Sequence, residues 1–64
     1  MRVWLTEKRK AKNLSQAELA RKVGISQPSL FYIESGKRNP KVKTAKRIAA
    51  VLDFDWTEFF NEVA

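Results

Sequence analysis

The sequence predicts a small all-α domain, and three observations support this prediction. Apolar residues recur at the three- and four-residue spacing of helices, and no stretch keeps the alternation with period two that strands require. Glycine and proline are scarce, two of each in 64 residues, and all four fall between residues 24 and 40. The length allows one domain, residues 1–64, and the 44% content of hydrophobic residues argues against disorder.

The first helix is expected over residues 2–12, with Asn13 as a left-handed residue at its C-terminal end. Lys8 falls between the apolar positions on the helical wheel, so its stem is expected to lie along the core rim while its ammonium reaches water. The predicted inward positions are Trp4, Leu5 and Ala11.

The second helix has clear boundary signals. Ser15 and Glu18 have the spacing of a capping box, and Leu14 is positioned for a hydrophobic staple. Gly24 is expected to end the helix, because glycine adopts a positive φ at the lowest cost. The inward positions are Leu19, Ala20 and Val23.

The third helix is predicted over residues 26–35, starting at a Ser26 cap and ending before Gly36. Pro28 is acceptable in the first turn, where amides have no intrahelical acceptor. At 100° per residue, Leu30 and Ile33 point inward together. The outward positions are then Pro28, Phe31, Tyr32 and Ser35, with Gln27 on the flank. Few surface helices present two aromatic side chains to water, so this face is expected to have a function.

A fourth helix is predicted over residues 41–52 and a short fifth helix after Asp55, which can form a cap with Glu58. The inward face of the fourth helix comprises Val42, Ala45, Ile48, Ala49 and Leu52, and its basic face comprises Lys43, Lys46 and Arg47. The fifth helix carries a large apolar stripe at helical spacing, namely Trp56, Phe59, Phe60 and Val63.

Residues 16–35 match a helix-turn-helix motif. Two short helices, each with a serine cap, are joined at Gly24, and Ala20 is small where the two helices would cross. Five inward positions are apolar: Leu19, Val23, Ile25, Leu30 and Ile33. A chance helical hairpin would match some of these features, but the small residue, the glycine and the five apolar positions together are specific.

Charge is divided sharply along the chain, whose formal net charge is +6. Residues 1–47 hold all 13 basic residues and only three acidic ones, whereas residues 48–64 hold four acidic residues and no basic one. Scattered surface charge does not explain this division. It favours a basic body that faces nucleic acid and an acidic end turned away from the phosphates.

Several function classes lack the residues they need. The chain contains no cysteine and no histidine, which argues against disulfides, zinc sites and imidazole catalysis. Neither a glycine-rich phosphate loop nor an inward pair of acids occurs, so we expect no enzyme activity, no metal and no cofactor. No apolar run of about 18 residues and no signal peptide are apparent, which predicts a cytoplasmic protein.

The sequence resembles the phage-repressor and Cro-like helix-turn-helix regulators, also called the xenobiotic-response-element type. The resemblance covers nearly the whole chain and implies a compact five-helix lambda-repressor-like domain. It departs from the family at Lys8, at Asp53 where glycine is usual, and at Pro28. The matching residues are Arg9, 14–20, 23–27, 33–37, Asn39, Pro40, Ile48, Ala49, Leu52 and Phe59.

The resemblance also implies roles for individual residues. The positions that match base-reading residues are Ser26, Gln27, Pro28, Phe31 and Tyr32; those expected near phosphates are Ser15, Gln16, Lys37, Arg38, Lys41 and Lys43. The alternative for Phe31 and Tyr32 is that they merely pack on the neighbouring surface. The alternative for Lys37, Arg38 and Lys41 is that they belong to a solvated loop without a binding role. Arg9 and Glu34 match a pair that joins the first helix to the end of the third, and an unrelated surface glutamate is the alternative.

The leading hypothesis is a sequence-specific transcriptional regulator that represses by binding double-stranded operator DNA as a homodimer, in the cytoplasm and at the nucleoid. With the chain ending at residue 64, the dimer contact is expected from the domain itself. Trp56, Phe59, Phe60 and Val63 are the candidate surface, unless they complete the core of the monomer. The alternative function is a protein-binding module, an antirepressor or antitoxin, that uses this surface and binds DNA only secondarily.

Overall fold

The computed structural model describes residues 1–61, and it is all-helical over this range as predicted. Its elements are α1 (Val3–Ala11), α2 (Gln16–Val23), α3 (Gln27–Ser35), α4 (Val42–Leu52) and a 3₁₀ helix (Trp56–Phe60). The expected five-helix domain is confirmed in part, since the structure has four α-helices and the fifth element is a 3₁₀ helix. Val63, one of the candidate surface residues, lies outside the described residues.

The fifth element is tight because its backbone bonds span three residues. The Glu58 N–H donates to the Asp55 carbonyl at 3.0 Å, and the Asn61 N–H donates to the Glu58 carbonyl at 3.3 Å. The Asp55 side chain accepts from the Thr57 N–H at 2.9 Å, and this bond lowers the pKa of Asp55. Such bonding suits a segment of five residues, which is too short to propagate an α-helix.

Helix α1 ends in a Schellman turn. Asn13 has the predicted left-handed conformation with φ of 57°, and the Leu14 N–H donates to the Arg9 carbonyl at 3.2 Å. Leu5 is fully buried, but Ala11 is exposed, so its predicted inward position is wrong. The helix stops at Ala11, and Leu14 packs against the core after the turn.

The Lys8 side chain lies on the rim of the core, as expected for its stem. Its ammonium does not simply extend into water. Nζ lies 3.8 Å from Oε2 of Glu58 and 5.4 Å from the centroid of the Phe54 ring. Glu58 and Phe54 therefore stabilise a lysine at a position where the family usually has an apolar residue.

Helices α2 and α4 supply most of the core. Leu19, Ala20 and Val23 of α2 are buried, as predicted. Helix α4 buries four residues, but Val42 is 48% exposed, which contradicts its predicted inward position. Helix α4 begins at Val42, whose side chain projects beyond the core, and Pro40 is buried just before it. The buried core is formed by Leu5, Leu19, Ala20, Val23, Leu30, Ile33, Ala45, Ile48, Leu52 and Phe59.

The residues that end α2, α3 and α4 all have a positive φ, but they are not all glycines. Gly24 and Gly36 end α2 and α3 with φ of 85° and 83°. Helix α4 instead ends at Asp53, a non-glycine residue with φ of 62°. None of the helices within residues 1–61 combines the length and apolar character needed to cross a bilayer.

Candidate nucleic-acid interface

Helices α2 and α3 form the predicted helix-turn-helix, held by a bonded turn. The Gly24 and Ile25 N–H groups both donate to the Ala20 carbonyl, at 2.9 and 3.0 Å. Ser26 then caps α3, since its Oγ accepts from the Ser29 N–H at 3.2 Å. The turn is thus short and fixed at both ends, so the outer face of α3 has a defined orientation relative to α2.

The outer face of α3 is partly aromatic. Phe31 is 50% exposed and Tyr32 is 41% exposed, and their ring centroids lie 5.6 Å apart in an edge-to-face arrangement. Pro28 and Gln27, one turn earlier, are also exposed. These four residues and Gln16 line a shallow depression of about 300 Å³. The structure therefore brings four of the five predicted base-reading residues onto one concave surface.

Ser26, the fifth predicted base-reading residue, is the N-cap of α3 and not part of that depression. Its hydroxyl donates to Oγ of Ser29 at 2.8 Å while accepting from the Ser29 backbone. Both roles of the hydroxyl are consequently used within the first turn. Ser26 is exposed at the N-terminal end of α3, directly before Gln27.

The start of α2 carries two of the six residues predicted near phosphates, the N-cap Ser15 and the first helical residue Gln16. Oγ of Ser15 accepts from the Glu18 N–H at 3.1 Å, and the Ser15 N–H donates to Oε1 of Glu18 at 2.9 Å, which completes the predicted capping box. That backbone bond lowers the pKa of Glu18. Nε2 of Gln16 donates to Oε1 of Glu34 at 3.2 Å, so the amide is already oriented by a buried carboxylate.

The α3–α4 loop, defined here as residues 36–41, carries the next basic residues. Lys37, Arg38 and Lys41 are exposed, as is Lys43 in the first turn of α4. Lys37 and Arg38 donate their N–H groups to the Tyr32 carbonyl, at 3.0 and 3.2 Å. The Arg38 guanidinium lies 5.4 Å from the centroid of the Tyr32 ring, so this cation is next to the outer face of α3.

Glu34 is a buried acid whose carboxylate accepts hydrogen bonds from three different side chains. The residue is 3% exposed, and its carboxylate accepts from Nε of Arg9 at 2.8 Å and Nη2 of Arg9 at 3.3 Å. Thr6 also donates its hydroxyl to this carboxylate, at 3.0 Å. The ion pair with Arg9 therefore exists in the structure, and Glu34 joins α1, the start of α2 and the end of α3.

Arg2, which the sequence did not single out, is buried to 5% exposure. It is the N-cap of α1, and its guanidinium donates to carbonyl groups of Ile33 and Arg38 and to Oδ1 of Asn39. Arg2 was the first residue of the helix predicted over residues 2–12, and nothing in the sequence marked it as buried. An arginine at such a position is expected on the surface, so its burial was not predictable.

The candidate partner surface at the C-terminal end divides into core and exposed parts. Phe59 is buried between Trp4 and Phe54, with ring centroids 5.2 and 5.7 Å away. Trp56 is half-buried, and its ring lies 5.7 Å from that of Phe60. Phe60 itself is 54% exposed. Of the three described residues of this candidate surface, Phe60 is exposed and Trp56 is half-buried, so these two are available to a partner.

Comparisons with known proteins agree with this geometry. Residues 5–59 match the helix-turn-helix family. The chain is 41% identical over 63 residues to YqaF of Bacillus subtilis, which is named as an uncharacterized HTH-type transcriptional regulator. The alignment covers 98% of this chain and 83% of YqaF. It is also 41% identical over 51 residues to an ImmF control region 10 kDa protein of Bacillus phage phi105, covering 80% of this chain and 57% of that protein.

A solved structure supports the same assignment. The N-terminal DNA binding domain of SinR from Bacillus subtilis superimposes with a TM-score of 0.80 at 32% sequence identity. The superposition covers 91% of this chain and 86% of that domain. The likeness therefore extends over the full arrangement of helices and is not confined to α2 and α3.

Proposed function

The chain belongs to the helix-turn-helix family of the xenobiotic-response-element type, whose members are DNA-binding transcriptional regulators, and from this premise we propose a specific role. The protein is a repressor that binds double-stranded operator DNA as a homodimer, with α3 in the major groove. One observation carries the proposal. The exposed face of α3 and the start of α2 form a single concave surface that basic residues flank.

The outer face of α3 has the chemistry needed to read base edges. Gln27, at the N-terminal end of α3, has the amide geometry for a bidentate contact with adenine N6 and N7. Pro28, Phe31 and the Tyr32 ring offer apolar surface for thymine methyl groups. Ser26 contributes at the edge of this surface, through a hydroxyl that already caps the helix.

Phosphate contacts hold this face against the duplex. Gln16 and Ser15 stand at the N-terminus of α2, where backbone amides favour anions. On the other side of α3, the α3–α4 loop and the start of α4 provide Lys37, Arg38, Lys41 and Lys43. These contacts carry no sequence information, but they fix the register of α3 on the DNA.

A homodimer would place two copies of α3 in successive major grooves, about 34 Å apart. Among the described residues of the candidate surface, Phe60 is the strongest candidate for the dimer contact, since the residue is 54% exposed. The same exposure also supports the second candidate function, a protein-binding module such as an antirepressor or antitoxin that uses this surface to mask another protein. The two functions differ in whether duplex DNA is the main ligand.

The test begins with selection of bound sequences from a random duplex pool, followed by titrations of the selected operator and of random DNA at several salt concentrations. If a dimer neutralises about six phosphates, log K should fall against log[salt] with a slope of about −5. A slope near zero at measurable affinity would exclude DNA as the main ligand and favour the protein-binding module.

Two substitutions then distinguish residues that contact base edges from residues that contact phosphates. Gln27→Ala should cost about 1 to 3 kcal/mol on the operator and little on random DNA. Arg38→Ala should weaken binding to both by a similar factor and make the slope shallower by about 1 per subunit. Lys22→Ala is the charge-matched control, because Lys22 is exposed in the last turn of α2, at the opposite end of the helix from Gln16. If Gln27→Ala leaves the ratio of operator to random affinity unchanged, α3 is not the reading helix.

A further inference from the structure

The buried guanidinium of Arg2 connects the N-terminal segment to the loop between α3 and α4. Nη1 donates to the Ile33 carbonyl at 2.6 Å and to the Arg38 carbonyl at 2.9 Å, and Nη2 donates to Oδ1 of Asn39. The Arg2 backbone N–H donates to the Glu34 carbonyl at 2.8 Å. One residue thus spans the last turn of α3 and the middle of the α3–α4 loop.

The acceptors that Arg2 reaches lie at the C-terminal end of α3 and in the α3–α4 loop that follows it. The Ile33 and Glu34 carbonyls belong to the last turn of α3, where no N–H of a following helical turn is available, although the Gly36 N–H also donates to the Ile33 carbonyl, at 3.2 Å. A guanidinium has five donors in a rigid planar fork, so it can bridge several acceptors at fixed separations. The Phe59 ring, 5.6 Å from the Arg2 guanidinium, supports it from the core side.

The loop that Arg2 holds is also the loop that carries Arg38. The Arg38 carbonyl is bound by Arg2, while its guanidinium lies over Tyr32 on the outer face of α3. A continuous set of contacts therefore runs from Arg2 through the backbone of Arg38 to the ring of Tyr32. Movement of the loop would separate the Arg38 cation from the face that it flanks.

We propose that Arg2 is a positioning residue for DNA binding, which fixes the α3–α4 loop so that Arg38 is held beside α3 before the duplex arrives. The inference rests on the proposed function. At 5% exposure, Arg2 has almost no surface to offer a phosphate, so it acts through Arg38. Its contribution is pre-organisation, because a loop that is already ordered loses less conformational entropy on binding.

Arg2→Met removes the donors and keeps an unbranched apolar side chain, and Lys10→Met is its charge-matched control in α1, where Lys10 is exposed. We expect Arg2→Met to lower the affinity for operator and random DNA alike by about tenfold. The salt slope should stay unchanged, since the Arg38 cation still reaches its phosphate. Lys10→Met should change the affinity far less. A slope reduced by about 1 per subunit would instead mean that Arg2 itself neutralises a phosphate.

A double-mutant cycle tests whether Arg2 acts through Arg38. In an Arg38→Ala background, the penalty of Arg2→Met should shrink from about tenfold to about threefold or less, because the contact that it positions has been removed. Additive effects on log K would overturn the proposal. All titrations use temperatures at which circular dichroism shows each variant to be folded, so a loss of global stability does not imitate a loss of affinity.

Hydrogen exchange in the free protein supplies a measurement that does not need DNA. Arg2→Met should accelerate exchange of the Lys37 and Arg38 amides by about tenfold and leave the Leu19 amide of α2 nearly unchanged. Equal acceleration at all three amides would indicate a purely global effect and overturn the proposal. Should Arg2→Met fail to fold, Arg2→Lys takes its place, because an ammonium keeps the charge but cannot bridge the same acceptors.

The results separate this inference from the proposed function. If the unaltered protein shows no salt-dependent binding to any duplex, the proposed function fails. If it binds duplex DNA and Arg2→Met binds equally well, only the positioning role of Arg2 fails.

Discussion

Arg9 and Glu34, 25 residues apart in the chain, form a bonded ion pair in which Nε lies 2.8 Å from Oε2. Gln16 donates to the same carboxylate, so the ion pair also contacts the first turn of α2, where DNA phosphates are proposed to bind. The Arg9 guanidinium also donates to the Leu14 carbonyl at 2.9 Å, just before α2 begins. This arrangement fixes the start of α2 relative to the end of α3.

Removal of Arg9 should therefore be costly. Arg9→Met leaves the buried Glu34 carboxylate without its cation, and we expect the free energy of unfolding to fall by about 1 to 3 kcal/mol. Glu34→Gln in that background should recover part of the loss, because no uncompensated charge remains. Urea denaturation of the two single variants and the double variant measures the coupling. Independent, additive effects would show that the two side chains do not interact in solution.

Phe59 and Phe60 are adjacent but should respond in opposite ways. Phe59→Ala removes a ring from the core and should cost about 3 to 5 kcal/mol, enough to unfold much of a domain this small. Phe60→Glu should leave the melting temperature nearly unchanged and weaken operator binding through lost dimerisation. Thermal melts and sedimentation equilibrium distinguish the two effects. A Phe60→Glu variant that is folded and still dimeric would place the dimer contact elsewhere.

The capping box of α2 should make stability depend on pH. The bond from the Ser15 N–H lowers the pKa of Glu18 in the folded state, so ionised Glu18 stabilises the fold. This contribution is fully present above the ordinary carboxyl pKa and is lost as the pH falls through the lower folded value. The difference in free energy of unfolding between the unaltered protein and Glu18→Gln should thus be constant above about pH 6 and should become smaller as the pH falls below this value. Glu7→Gln, at an exposed position in α1, is the charge-matched control; equal pH profiles for both variants would contradict a role for the box.

Gly24 should be replaceable only by residues that accept a positive φ. An added Cβ would meet Nη1 of Arg47 at 3.8 Å, which is ordinary contact, so the cost of Gly24→Ala is conformational. We expect about 1 kcal/mol for Gly24→Ala and less for Gly24→Asn, since asparagine tolerates the left-handed region. The chain itself uses Asn13 in this way, with φ of 57°. If chemical denaturation shows Gly24→Asn to be less stable than Gly24→Ala, the result would be inconsistent with a left-handed conformation at residue 24.

The sequence predicted those parts of the fold that depend on local signals. The Ser15 and Ser26 caps and the glycines at 24 and 36 act within one turn of the backbone, so residue identity alone indicates where α2 and α3 begin and end. The fifth element was predicted less well. Its apolar spacing suits an α-helix, but whether so short a segment becomes α or 3₁₀ depends on how its rings pack against the rest of the chain.

The candidate site was predictable in outline for a similar reason. The outward face of α3 follows from helical periodicity, and Phe31 and Tyr32 are exposed there. Arg2 was missed because its acceptors lie more than 30 residues away in the chain, at Ile33, Arg38 and Asn39. A contact at that separation becomes visible only when the tertiary arrangement of α1 and α3 is known.

The position of Tyr32 allows a magnetic label to be placed at a single site on the outer face of α3. It is the only tyrosine of the chain, and it stands on the outer face of α3, whereas the two tryptophans lie elsewhere, at positions 4 and 56. Biosynthetic incorporation of fluorotyrosine would thus give one fluorine resonance from this face alone. Fluorotryptophan would give two, and that of Trp56, whose ring adjoins Phe60, would report on the C-terminal surface. Events at the two surfaces could then be followed separately in the same sample, without a cysteine or an attached dye.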